Sequence, residues 1–98
     1  MCAMSTQVQH QPDNSRFVIM VDGQEAGLAL YQESQGVRDF HHTEIYPQFQ
    51  GQGLSSPLIK AALEDTKNVG LKIKPTCSAV EHFLSKEANA QFRALIAD

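Results

Sequence analysis

The chain contains no tryptophan and only two cysteines among its 98 residues, Cys2 and Cys77. Two thiols this far apart, one of them in a polar N-terminal stretch, do not make a disulfide framework; they fit free thiols in a reducing cytosol. No apolar run is long enough for a membrane span or a signal-peptide core, so neither a membrane nor export is expected. Positive charge is also scarce. Eight Lys and Arg stand against eleven Asp and Glu, a net charge of −3, which leaves no basic stripe for a phosphate backbone and excludes nucleic acid as the expected partner. Metal binding is a poor reading: His41 and His42 are adjacent and would point to opposite faces of a strand, while His10, His82 and the cysteines lack ligand spacing. There is no internal repeat and no low-complexity run.

What is present describes one small domain. Apolar residues make up 42% of the chain and charged ones 19%, enough for a modest core at this length. Residues 1–15 are rich in Gln, Ser, Asn, Asp and Pro without an apolar period, and are expected to form a flexible leader before a folded domain at 16–98. Residues 17–21 are β-branched and apolar and run straight into Asp22-Gly23, a strong hairpin signal. Residues 26–32 supply the partner strand, and after a turn ending at Gly36 a third strand follows at 37–45. Strict alternation there puts Phe40, His42 and Glu44 on one face and Asp39, His41, Thr43 and Ile45 on the other.

Apolar residues then recur at Leu54, Leu58, Ile59, Ala62, Leu63 and Val69, the spacing of an amphipathic helix. Ser56 and Pro57 are the expected N-cap and first helical residue, and Gly70 the left-handed residue that ends the helix. Residues 71–77 form another strand, making 38–76 a β-loop-α-β unit with parallel strands and a right-handed crossover. Residues 78–98 fit one or two short helices. The order β-β-β-α-β-α gives an α+β fold: a mixed sheet, an antiparallel meander followed by a parallel β-α-β crossover, with two to three helices.

The chemistry concentrates between the third strand and the helix, at Pro47-Gln-Phe-Gln50-Gly51-Gln52-Gly53-Leu54-Ser55. Glycines let a backbone approach a ligand closely, and a helix that opens directly afterwards presents N–H groups and the positive end of its dipole, an arrangement suited to phosphate. A lone Gly-x-Gly also fits a plain strand-to-helix turn. It is neither a Walker loop, since no Gly-Lys-Ser/Thr follows, nor a dinucleotide fingerprint, since the third glycine is missing.

An aliphatic strand end, a proline, then Gln-x-x-Gly-x-Ser opening an amphipathic helix resembles the acetyl-CoA pyrophosphate loop of the GNAT N-acetyltransferase superfamily, with Gln50, Gly53 and Ser55 at its defining positions. Ser55 departs from the usual Gly or Ala. His42-Thr43 before the loop and Pro75-Thr-Cys77-Ser78 at the end of the next strand are similar to a small single-domain, YjdJ-like subgroup. The resemblance spans roughly residues 17–95. It implies that pantetheine lies between the strands 37–45 and 71–77, that acetyl-CoA is the acetyl donor, and that Ile45, Gln50, Gly51, Gln52, Gly53, Leu54 and Ser55 hold it. Phe83 is expected either to join the core or to wall the thioester pocket.

Acetyl transfer to an amine needs a deprotonated amine, a polarised carbonyl and a protonated leaving thiolate. His42 has the pKa for the first role, with Glu44 as second base or anchor for a cationic acceptor; the plainer readings are a histidine satisfied within the sheet and a solvated carboxylate. Cys77 can protonate the thiolate or relay the acetyl group, or it can be a small buried apolar residue. The expectation is a cytoplasmic acetyl-CoA-dependent N-acetyltransferase acting on an amine. The alternatives are a CoA-binding or protein-interaction module of the same fold without significant catalysis.

Overall fold

A computed structural model describes residues 5–97. Five strands form one sheet in sequence order: β1 (Thr6–Gln11), β2 (Arg16–Val21), β3 (Gln24–Ser34), β4 (Val37–Ile45) and β5 (Lys72–Pro75). The first four pair antiparallel and β5 lies parallel to β4. Between those last two runs α1 (Ser55–Asn68), and after them come α2 (Ser78–Ser85) and a 3-10 stretch, Glu87–Leu95. This is the expected α+β mixed sheet with a parallel crossover. No described helix is long and apolar enough to cross a membrane.

The local chemistry explains the elements. Asp22 and Gly23 (φ 49° and 83°), and Gln35 and Gly36 (53° and 79°), put both central residues of each hairpin turn at positive φ, the geometry whose twist matches the flanking strands. Gly70 (φ 79°) ends α1: its N–H donates to the Lys67 carbonyl, and Leu71 N–H donates to that of Thr66, the paired bonds of a Schellman ending. Gly27 answers a different demand. A Cβ there would lie 2.5 Å from the Glu44 carbonyl oxygen, so only glycine lets β3 and β4 approach at that point.

The core lies on one face of the sheet. Phe17, Ile19, Val21, Ala29, Tyr31, Phe40 and Ile73 project from the strands against Leu58, Ile59, Ala62 and Leu63 of α1 and Val80, Phe83 and Leu84 of α2. α1 crosses all five strands. Alternate residues such as Val18, Met20, Leu28 and Leu30 fall outside this cluster and point to the other face.

Two expectations need correction. Residues 6–11 do not belong to a loose leader: they are β1, paired from Thr6↔Val21 to Gln11↔Arg16, with Val8 packed on the core. His10 pins the strand, stacking on Phe17 at 4.2 Å between centroids and meeting the Tyr31 hydroxyl at 2.6 Å. Cys2 lies outside the described residues. The faces of β4 also differ, because the register with β3 slips between Leu30↔His42 and Tyr31↔Phe40. The extra residue, His41, is a β-bulge that interrupts alternation. Phe40 therefore faces the core, Thr43 and Ile45 lie on that same side, and His42 and Glu44 look out from the opposite face.

Candidate functional site

The junction between β4 and α1 is built from the chain's own donors. Pro47–Phe49 makes one 3-10 turn that buries the Phe49 ring, and the Gln50 amide reaches back to the Ile45 carbonyl at 3.0 Å. Gln50 thereby ties the loop to the end of β4. Gly51 (φ 83°) and Gly53 (φ 69°) both lie in the left-handed region, and nothing stands within 4 Å of where a Cβ would be on either. Both glycines therefore satisfy backbone conformation and leave the loop surface open.

The helix starts at Ser55, earlier than the expected Ser56 N-cap and Pro57 first position. Leu54 is the N-cap; its side chain is buried and its carbonyl accepts from Leu58 N–H at 3.2 Å. Buried Leu54 thus opens the helix two residues ahead of the Ser56-Pro57 signal. No side chain caps this end. First-turn N–H groups have no partner within a helix, so those at the start of α1 face outward beside two glycines.

Cys77 sits at the other end of the gap. It is the N-cap of α2, its N–H donates to the Phe40 carbonyl at 2.8 Å, and its thiol donates to Thr43 Oγ1 at 3.5 Å. Burial alone would raise the thiol pKa. Hydrogen bonds that the ionised sulfur would accept, from the Thr43 hydroxyl and from the backbone of Ala79, Val80 and Thr43, together outweigh burial and hold the pKa below the ordinary thiol value. The sulfur is also partly exposed.

His42 and Glu44 meet each other, Nε2 to Oε1 at 3.2 Å, both half-exposed. They lie on the face away from the helices, whereas Cys77 and Thr43 lie on the core face. The expected catalytic groups are thus brought to one stretch of β4 but to its two sides. Phe83 belongs to the core, only 4% exposed and 5.9 Å from Phe92 between ring centroids.

Spacing did not disclose two features. Arg38, 5% exposed, donates to Glu33 (3.1 Å), Asp65 (2.8 Å) and Thr66 (3.1 Å) and stacks over Tyr31 at 5.0 Å. A groove of about 470 Å³, bordered by Gln32, Ser34, Val37, Asp39 and Lys74, opens on the sheet away from the glycine junction.

A family model of the GCN5-related N-acetyltransferases matches residues 16–94, and the chain belongs to that family. Among curated proteins it is similar to Protein NATD1 of Gallus gallus, 28% identical over 88 residues, covering 88% of this chain and 80% of that one. The Homo sapiens NATD1 is likewise 28% identical over 87 residues, 87% of this chain and 77% of its own. Among solved structures, a GCN5-like protein of Staphylococcus aureus determined by NMR superposes with TM-score 0.69 at 22% identity, over 93% of this chain and 87% of that one. A GNAT-family protein of Desulfovibrio desulfuricans superposes at 0.55 with 15% identity, over 72% and 71%. At those identities the structures establish a shared fold.

Proposed function

We propose that the chain binds acetyl-CoA and transfers its acetyl group to an amine. The observation that carries this is the uncapped start of α1 beside Gly51 and Gly53, a set of outward N–H groups at a helix N-terminus in a family of acetyltransferases. Gly51, Gln52, Gly53, Leu54 and Ser55 would hold the pyrophosphate through backbone N–H, since Leu54 spends its side chain on the core and Gln50 its amide on Ile45. Pantetheine would follow the end of β4 toward Cys77. When bound, acetyl-CoA supplies an activated thioester; the residues here supply orientation and proton handling.

The two-sided arrangement suits that division. Cys77, with its depressed pKa and its Thr43 contact, faces the donor side and is placed to exchange a proton with a sulfur there. The same thiol favours a second reading, an acyl relay, because a thiolate is the nucleophilic form. His42, paired with Glu44, faces the open side, where it can take a proton from an approaching amine.

The test combines calorimetry with acetyl-CoA and incubation with labelled acetyl-CoA against polyamines, peptides and amino sugars. Binding with transfer supports the reading, and binding without transfer leaves a CoA-binding module. No binding at millimolar ligand ends both. Intact mass separates proton donor from relay, since only a relay leaves an acetyl adduct that Cys77→Ala abolishes.

A further inference from the structure

We infer that the groove beside Asp39 and Lys74 holds the head of the acetyl acceptor, and that this acceptor is a free diamino acid of the lysine or ornithine kind. The inference rests on the acetyltransferase reading above and names its substrate class. At about 470 Å³ the groove has the volume of small-molecule sites, roughly 300–1,000 Å³.

Its chemistry is specific. Asp39 and Lys74 are register partners across the parallel β4–β5 pair, yet neither is in an ion pair among the described residues. Asp39 Oδ1 is shut off from solvent with no hydrogen-bond partner. A carboxylate oxygen in that condition is short of a donor, and the broad torsion at the end of an aspartate lets a small turn bring either oxygen to one. Lys74 alongside offers an ammonium of opposite need. A ligand that presents an ammonium and a carboxylate on one carbon answers both at once, whereas a plain diamine would leave Lys74 facing a like charge. Gln32 and Ser34 add neutral hydrogen-bonding groups at the rim.

Position ties the groove to the chemistry. Asp39↔Lys74 is the pair directly before Phe40↔Pro75, where the parallel pairing ends. Asp39 and His42 share the helix-free side of β4 three residues apart, about 10 Å of strand. A head group held at Asp39 and Lys74 sends its aliphatic side chain along β4 and sets the terminal amine near His42. That amine, after losing a proton to His42, attacks the thioester carbonyl; the C–N bond forms, the C–S bond breaks, and the departing thiolate takes up a proton. The products are an Nε- or Nδ-acetylated amino acid and CoA.

The experiment has two independent arms. In the first, the ¹⁵N-labelled chain without CoA is titrated with lysine, norleucine and cadaverine. Lysine and norleucine, which share the head group, are expected to shift the amides around Asp39 and Lys74, with cadaverine weaker by about tenfold, the loss of one charged contact. Asp39→Asn is expected to weaken lysine binding by a similar factor, and Lys74→Met to erase the preference for lysine over cadaverine. No shifts in the groove, or equal affinity for cadaverine, overturns the inference whether or not the protein transfers acetyl groups. In the second, acetyl-CoA is added and the acetylated position is read by mass spectrometry. Acetylation at the side-chain nitrogen, with Asp39→Asn raising KM far more than it lowers kcat, supports the placement; acetylation at the α-nitrogen overturns it. Groove binding in the first arm, with no acetylation of any amine in the second, overturns the transferase reading and with it the acceptor role of the groove.

Discussion

The two ends of β4 handle polar groups in opposite ways. At its start the buried Arg38 guanidinium is saturated, with acceptors on Glu33, Asp65 and Thr66 and aromatic rings beneath it. Past its end, the first turn of α1 has no capping side chain and two glycines keep its approach clear. Satisfied polar groups hold elements together: Arg38 links β4 to β3 and α1. Accessible helix-terminal N–H groups are free to bind a ligand in place of water. The proposed site and the anchor thus lie at opposite ends of β4, and substitutions should separate them.

The largest expected effect falls at the anchor. Asp65→Ala leaves the buried guanidinium short of an acceptor and should cost on the order of 3 kcal/mol, a fall in Tm of roughly 15 °C. Arg38→Met, which removes the charge and fills the space, should cost clearly less, because Glu33 and Asp65 lie near water. Thermal unfolding of both variants decides it, and equal losses would mean that the guanidinium matters through its packing. At the site the pattern reverses. Gly53→Val forces a β-branched residue into φ 69° and sets a side chain over the loop, so CoA affinity should drop by at least about tenfold while the fold loses only about 1–2 kcal/mol. Calorimetry and thermal unfolding on the same sample check this.

Cys77→Ala sits between the two regions. Its sulfur is only partly buried, so stability should change by about 1 kcal/mol or less, while acetyl transfer falls and CoA binding persists. Undiminished transfer would make the thiol structural. Rapid modification of the wild-type thiol by iodoacetamide below the pH where free cysteine reacts would bear out its depressed pKa.

The smallest expected effect is a pH dependence of the anchor region. Burial lowers the His10 pKa, outweighing the carboxylate of Asp65, which would raise it. The folded state therefore prefers neutral His10, and the unfolded chain binds the extra proton first. Stability should be full above the unfolded value near 6.5 and be lost as pH falls through it toward the lowered folded value. His10→Phe should remove that part of the pH dependence, measured by urea unfolding between pH 5 and 7.5.

Legibility from the sequence followed the range of the interaction that decides each feature. Asp22-Gly23, the 3.6-residue period of α1 and Gly70 act through neighbours within a few residues, and each was readable. β1 was not. Gln7, Gln9 and Gln11 present a polar face; Val8 packs on the core, and His10 packs against Phe17 and Tyr31 of the neighbouring strands. The bulge at His41 is settled by the pairing with β3, which alternation within β4 cannot report. That one residue moved His42 and Glu44 to the face opposite Phe40. Arg38 finds Asp65 and Thr66 across 27 and 28 residues, and Asp39 meets Lys74 only because the crossover makes their strands parallel. The glycine junction was legible as a strand-to-helix turn because its residues are contiguous, but the helix start within it was not, since burial of Leu54 overrides the local Ser56-Pro57 signal.

The central claim is that the start of α1 is the acetyl-CoA pyrophosphate cradle, and a ¹H–¹⁵N titration of the chain with acetyl-CoA tests it most directly. The account predicts that the amides of Gly51, Gln52, Gly53, Leu54 and Ser55 shift first and furthest, with Cys77 and Thr43 following, and that Gly53→Val suppresses the whole set. Saturating acetyl-CoA that leaves those five amides unmoved, or moves chiefly residues around Arg38, would contradict it.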